Sequence, residues 1–248
     1  KIMARSWVLL NRAPSVLPTS ILAFHPVRIP DKVIRLHPLA CRLLNADFDG
    51  DQAAVFLPIT EATQTESGEK LSVAGHLRRD PELMDWLTPT HDILWGLAEK
   101  SLTPDGLKEI CKLAGIEIAA PDGYITRDSL TEATRALLAR DGVEATLQAL
   151  DRLMRLGFGA ARESGASLSP FIGEGLELPP APADDDDQAW RLYSEQLAEQ
   201  LAGRSDFDDA DLGPQLLAVK SGARGTLGRP LGLVNLIGGH GETRDLEG

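Results

Sequence analysis

Asn45-Ala46-Asp47-Phe48-Asp49-Gly50-Asp51 sets three aspartates at alternate positions, with a glycine between the last two. That spacing brings three carboxylates towards one point. Their mutual repulsion is costly unless a cation sits between them. Magnesium suits the position, because it is a hard ion that takes carboxylate oxygens and keeps room for water and substrate phosphates. Apolar residues flank the run: Leu39-Ala40-Cys41 and Leu43-Leu44 before it, and Ala53-Ala54-Val55-Phe56-Leu57 after it. The pattern predicts an acidic loop held between buried strands, as a rigid site requires.

Two other readings of the run compete with this one. A calcium loop of the EF-hand type wants glycine at loop position six and glutamate at position twelve. Counted from Asp47, those places fall to Gln52 and Pro58, which excludes it. A solvated acidic turn is the common fate of clustered aspartates, but it does not explain the apolar flanks.

The chain has 248 residues, enough for one or two domains, and 43% of them are hydrophobic, enough for a sizeable core. The net charge of −12 argues against a free-standing nucleic-acid binder. The acidity is uneven. Asp184, Asp185, Asp186 and Asp187 form one run, and Asp206, Asp208, Asp209 and Asp211 another, whereas Arg5, Arg12, Arg28 and Arg35 lie in the first sixty residues. Any nucleic-acid path is therefore local or shared with a partner. Cys41 and Cys111 read as buried thiols of a reducing compartment. No apolar run approaches the roughly 18 residues of a membrane span, and no signal peptide opens the chain. These features fit the cytoplasm. The first residue is Lys1 and not Met, which suggests a piece of a longer product.

Residues 1–60 read as β-rich. Trp7-Val8-Leu9-Leu10 is a strand, residues 26–38 a hairpin turning at Pro30-Asp31-Lys32, and residues 52–57 a third strand stopped by Pro58. Residues 61–70 are polar and exposed. Asp92-Ile93-Leu94-Trp95-Gly96-Leu97 fits a strand or a buried helical turn. Thr103-Pro104 starts a helix with Leu107, Ile110, Cys111 and Ala114 on its apolar stripe, ended by Gly115. Ser129 and Glu132 form a capping box for a helix to Arg140. Gly142 breaks it, and Val143, Leu147, Leu150, Met154 and Gly157 resume the helical spacing. Residues 179–187 form a Pro-rich acidic spacer, and residues 188–201 a further helix. The tail beyond Gly213 is Gly-rich and irregular. Its stretch from Gly222 to Gly232 lacks the spacing of a phosphate loop. His25, His37, His76, His91 and His240 show no ligand spacing.

The aspartate run, together with a series of collinear segments, resembles the largest subunit of multisubunit RNA polymerases, called β′ in bacteria. The segments are Leu9-Leu10-Asn11-Arg12-Ala13-Pro14, Ala23-Phe24-His25-Pro26, Leu36-His37-Pro38-Leu39, the stretch from Thr90 to Leu97 (similar to a strand after the active site), Leu150-Asp151-Arg152-Leu153, Leu156-Gly157-Phe158, Ser164-Gly165 and Ser221-Gly222-Ala223-Arg224-Gly225-Thr226. The resemblance implies an α+β fold. Residues 1–60 would be part of a double-psi β-barrel bearing the catalytic loop, and 61–104 a connection to the pore. Residues 105–178 would be a helical pore module, 179–187 the linker, and 188–248 a helical funnel-like module with an entry-channel segment.

It also implies a function, DNA-directed RNA synthesis by Mg²⁺-dependent nucleotidyl transfer from NTPs to an RNA 3′ end. Asp47, Asp49 and Asp51 would hold one Mg²⁺, and a second would arrive with the nucleotide. Arg12 and Asn45 would face ribose hydroxyls; a deoxy substrate would leave each unpaired, at about 1–3 kcal/mol per buried group. Arg224 would meet triphosphate oxygens. Partners would be a β-type subunit, the remaining β′ segments, α and ω subunits, DNA template and RNA product, with no membrane. Alone the chain would be inactive, since the bridge helix, trigger loop and first part of the barrel are absent. An open barrel needs other segments to close it.

The chain departs from the family where Gln52-Ala53-Ala54-Val55-Phe56 replaces Gln-Met-Ala-Val-His. It departs again where Ser15-Val16-Leu17-Pro18-Thr19-Ser20 replaces Thr-Leu-His-Arg-Leu-Gly. The second swap bears on local template or primer contacts. These differences and the acidity define the alternative, a divergent polymerase-related assembly or binding module with a vestigial or structural metal site. A phosphohydrolase using an Asp-x-Asp pair lacks supporting motifs.

Overall fold

The computed structural model describes residues 3–166, 180, 182, 187–207 and 213–225. The spacer at 179–187 lies mostly outside the described residues, as do Asp208, Asp209 and Asp211 and the tail from 226 to 248, which includes Thr226 and His240. The chain divides into two compact units of mixed α+β character overall. The first comprises Lys1–Pro89, Ala114–Glu117 and Leu130–Met154, and the second Thr90–Leu113, Ile118–Ser129 and Arg155–Gly248.

In the first unit β1 (Val8–Arg12), β2 (Ile21–Phe24) and β3 (Ala53–Phe56) form an antiparallel sheet in the order β2-β1-β3. Leu10 faces Leu22 on one side and Val55 on the other, and Arg12 faces Ala53. Short helices follow the chain around this sheet: α1 (Cys41–Leu44), α2 (Glu61–Glu66), α3 (Val73–Arg79) and α4 (Met84–Leu87). Between α2 and α3 lies a π-helical turn, Ser67–Leu71. Leu10, Leu22, Leu43, Leu44, Leu77, Met84 and Leu87 make the core, joined by Val143 and Leu150 from far downstream. Gln64 ties α2 to the strand entrance. Its carboxamide accepts from the Trp7 N–H at 2.6 Å and donates to the carbonyls of Trp7 (2.9 Å) and Pro58 (2.6 Å).

The second unit contains α5 (His91–Ser101), nearly all of α6 (Pro104–Ala114), α8 (Asp187–Ala202) and α9 (Gly213–Lys220). Ala98, Tyr124 and Leu217 pack with Trp95, Leu102 and Phe207, and Leu197, Leu201 and Leu216 form a second cluster. The Trp95 indole N–H donates to the Pro214 carbonyl at 2.9 Å. The long helix α7 (Arg127–Glu163) contributes residues to each unit and is interrupted at Gly142, whose φ of 81° is open to glycine at little cost.

Several local expectations change. The hairpin over 26–38 does not form. Val27, Val33 and Ile34 are 83%, 59% and 53% exposed, so the alternating residues have no face to bury. The strand that pairs with β1 is instead Ile21–Phe24, where Leu22 and Ala23 are buried. The aspartate run follows helix α1 and not a strand, and β3 after it is largely exposed. Of the strand and helical-turn readings of residues 92–97 the helical one holds: they belong to helix α5, with Ile93, Leu94, Leu97, Ala98 and Ser101 buried along one helical stripe. The cap of α7 lies three residues earlier than expected: Thr126 accepts from the Ser129 N–H at 3.2 Å, and Ser129 accepts from the Thr126 N–H at 3.0 Å. Residues 213–220 are helical, because Leu216, Leu217, Ala218 and Val219 are buried there ahead of the glycines. The cysteines are free and half-buried.

Candidate metal centre

The aspartate loop begins where α1 ends. Asn45 closes that helix in the left-handed region, with φ 48° and ψ 45°. Asparagine tolerates this region better than most residues, which suits it to the place whatever else it does. The Ala46 N–H donates to the Cys41 carbonyl at 2.9 Å and completes the turn. Leu43 and Leu44 anchor the helix in the core, and the buried Thr19 hydroxyl donates to the Leu43 carbonyl at 2.5 Å. The loop therefore rests on a fixed base although it is itself exposed. Gly50, at φ 123°, allows the chain to reverse between Asp49 and Asp51.

One carboxylate oxygen from each of Asp47, Asp49 and Asp51 lies within 4.8 Å of the others. The three differ in environment. Asp51 is gripped by Arg12, whose Nε donates to Oδ2 and whose Nη2 donates to Oδ1, both at 3.0 Å. The Asp47 N–H donates to the same Oδ2 at 3.1 Å. The Arg12 hydrogen bonds, and then the Asp47 N–H, hold the Asp51 carboxyl below the ordinary aspartate range. Asp49 is pushed the other way by a side-chain hydrogen bond with Asp47 and by that residue's charge. Burial, then the charge of Asp47, raises the Cys41 thiol.

This donor set fits a hard divalent cation. It offers three carboxylates on an exposed loop with room for water, and the crowding of Asp47 against Asp49 raises the Asp49 carboxyl, a repulsion that a cation would relieve. The remaining sequence-derived candidates are placed as follows. Arg12 meets the triad directly through Asp51, and Asn45 sits one turn before it. Arg224 belongs to the second unit, where its Nη2 donates to Asp92 Oδ1 at 2.7 Å and its N–H donates to the Ala218 carbonyl at 3.0 Å. Thr19 is a supporting residue that the sequence pattern does not single out. Its only sequence signal is a Thr-Ser pair closing the turn before β2.

Comparison with known proteins adds the following. The family model described as RNA polymerase Rpb1, domain 2, matches residues 1–73, which include the whole aspartate loop. The β′ subunit of DNA-directed RNA polymerase from Lactococcus lactis subsp. cremoris is 41% identical over 123 residues, 48% of this chain and 10% of that protein. The β′ subunit of Lactobacillus helveticus is 47% identical over 89 residues, covering 36% of this chain and 7% of that protein. That of Treponema denticola is 40% identical over 112 residues, or 44% and 8%. The matched part thus spans a tenth or less of these relatives' own length. With the aspartate loop inside the matched segment and identity at this level, the chain is similar to a part of the β′ subunit of DNA-directed RNA polymerase.

Proposed function

We propose that this chain carries the catalytic aspartate loop of a DNA-directed RNA polymerase and acts in nucleotidyl transfer from NTPs to an RNA 3′ end. The observation that carries the reading is the convergence of Asp47, Asp49 and Asp51 within 4.8 Å inside the segment that the family model matches. The three carboxylates would hold Mg²⁺. A bound ion of this kind lowers the pKa of a coordinated hydroxyl and neutralises charge on a departing pyrophosphate.

The chain's own residues supply the frame. The buried α1 leucines and the Thr19 bond fix the loop's position, and Arg12 with the Asp47 N–H orients the Asp51 carboxylate. Arg12 has further guanidinium donors beyond the Nε/Nη2 edge that meets Asp51, and these are suited to ribose hydroxyls together with the exposed Asn45. Arg224 is assigned to triphosphate oxygens. In that role it would exchange its exposed Asp92 partner for a phosphate.

The sheet β2-β1-β3 would be part of a double-psi barrel. The partners would be a β-type subunit, the remaining β′ segments, α and ω subunits, DNA template and RNA. Among the described residues no helix is long and apolar enough to cross a membrane.

The test is templated primer extension with this chain assembled among its β-type partner and the other β′ segments. Magnesium-dependent extension that disappears in Asp49→Ala supports the proposal. A well-assembled wild-type complex that extends nothing refutes it.

A further inference from the structure

The grip of Arg12 on Asp51 has a cost for any cation that the triad binds. A carboxylate offers about four lone-pair sites. In Asp51 the two on Oδ2 are taken by Arg12 Nε and the Asp47 N–H, and one on Oδ1 is taken by Arg12 Nη2. A single site on Oδ1 is left. Arg12 also brings a full positive charge into direct contact with one of the three carboxylates of the triad, and among the described residues it bonds no other acceptor.

We infer that Arg12 is a competing counter-ion of the aspartate triad, which keeps the divalent-cation affinity of this chain below what three free carboxylates would give. The inference rests on the proposed reading of the triad as a metal centre. It assigns Arg12 a second task besides substrate contact. While Arg12 pairs with Asp51 the triad is a weak site, and full ligation by Asp51 requires the guanidinium to loosen its hold. A polyanionic substrate such as a nucleoside triphosphate offers Arg12 an acceptor of higher charge, so that binding of substrate and strengthening of the metal site would be linked through this one side chain.

Two effects oppose each other when Arg12 is removed. Loss of the fork frees the Asp51 rotamer and lowers preorganisation. Loss of the positive charge removes repulsion against a dication and frees two lone pairs. At an exposed site a charge–dication repulsion at contact range exceeds the ordering of one short side chain, so the charge effect decides the sign.

The experiment is Mn²⁺ titration of the 248-residue chain, followed by electron paramagnetic resonance of free Mn²⁺ at low ionic strength. Wild type is compared with Arg12→Gln, Arg12→Met, Arg12→Lys and Asp49→Asn. Arg12→Gln and Arg12→Met should each bind roughly three- to tenfold tighter than wild type, with Arg12→Lys within about twofold of it; added salt should narrow the gap. If one neutral variant does not fold, the other carries the comparison. Equal or weaker binding by the folded neutral variants, with binding still abolished by Asp49→Asn, would overturn the inference and leave the metal centre standing. Wild type that binds no Mn²⁺, or Asp49→Asn that binds as wild type does, would remove the metal reading and the inference with it.

Discussion

Arg12 and Asp51 meet edge to edge across the β1–β3 ladder, with both nitrogen–oxygen distances at 3.0 Å. They lie 39 residues apart in sequence, and the register that sets Arg12 opposite Ala53 brings them together. Asp51 and Asp49 respond to pH in opposite directions. Asp51 is held low, so it stabilises the fold above the usual aspartate value of about 3.9, and that contribution fades as pH falls through its depressed value. Asp49 is held high, so it favours the fold when protonated, and that contribution is lost as pH rises through its raised value. Carbon-detected NMR titration of the side-chain carboxyls should place Asp49 above and Asp51 below about 3.9. Arg12→Gln should move Asp51 upward. Coincident midpoints for the two residues would contradict the geometry.

Gln64 substitutes for strand pairing at the start of β1, satisfying both backbone groups of Trp7 and the carbonyl of Pro58. Gln64→Ala leaves these partly buried groups without that partner. It should cost about 1–3 kcal/mol in urea unfolding. Gln64→Glu keeps the acceptor for the Trp7 N–H but loses the two donated bonds, and should also destabilise. A change below about 0.5 kcal/mol in both variants would show that water replaces the amide.

Gly96 and Gly159 offer a contrast within the second unit. A Cβ on Gly96 would lie 2.0 Å from the Gly157 carbonyl oxygen, and this obstacle is backbone. A Cβ on Gly159 would meet nothing within 4 Å. Gly96→Ala should destabilise by about 1–3 kcal/mol through overpacking, whereas Gly159→Ala should be neutral or stabilising by up to about 1 kcal/mol through helix propensity. Thermal unfolding of the two variants measures both, and equal effects would argue against the close α5–α7 approach.

Leu22 is fully buried and Val27, five residues later, is 83% exposed. Leu22→Ala should cost about 2–5 kcal/mol, and Val27→Ser no more than about 0.5 kcal/mol. A large loss from Val27→Ser would restore the hairpin that the alternating sequence suggests.

What the sequence makes legible here is local. The aspartate cluster, the strands around Leu10 and Val55, the Pro104 helix start and the break at Gly142 all follow from spacing and turn chemistry within a few residues. The errors arise where a local pattern had a competitor. Val27-Arg28-Ile29 alternates as a strand should, yet Ile21–Phe24 takes the place beside β1. Residues 92–97 fit a strand or a helical turn until Ala98 and Ser101 extend the buried stripe by another turn. In residues 213–220 the glycines of the following stretch masked four buried apolar positions. The brace on Asp51 and the Thr19 bond to Leu43 were out of reach, because each depends on a register or a fold-over and not on neighbours in sequence.

The core beneath the aspartate loop is assembled from distant parts of the gene. Val143 and Leu150 complete the apolar cluster around Leu43 and Leu44, although α7 lies beyond all of α5 and α6 in the chain. A coding segment cut after Pro89 would therefore encode every aspartate and the arginine that braces them, yet leave their supporting leucines partly uncovered. Inheritance of the loop by recombination would have to carry α7 with it, so the acidic signature is exchangeable between proteins only as part of a block that includes that helix.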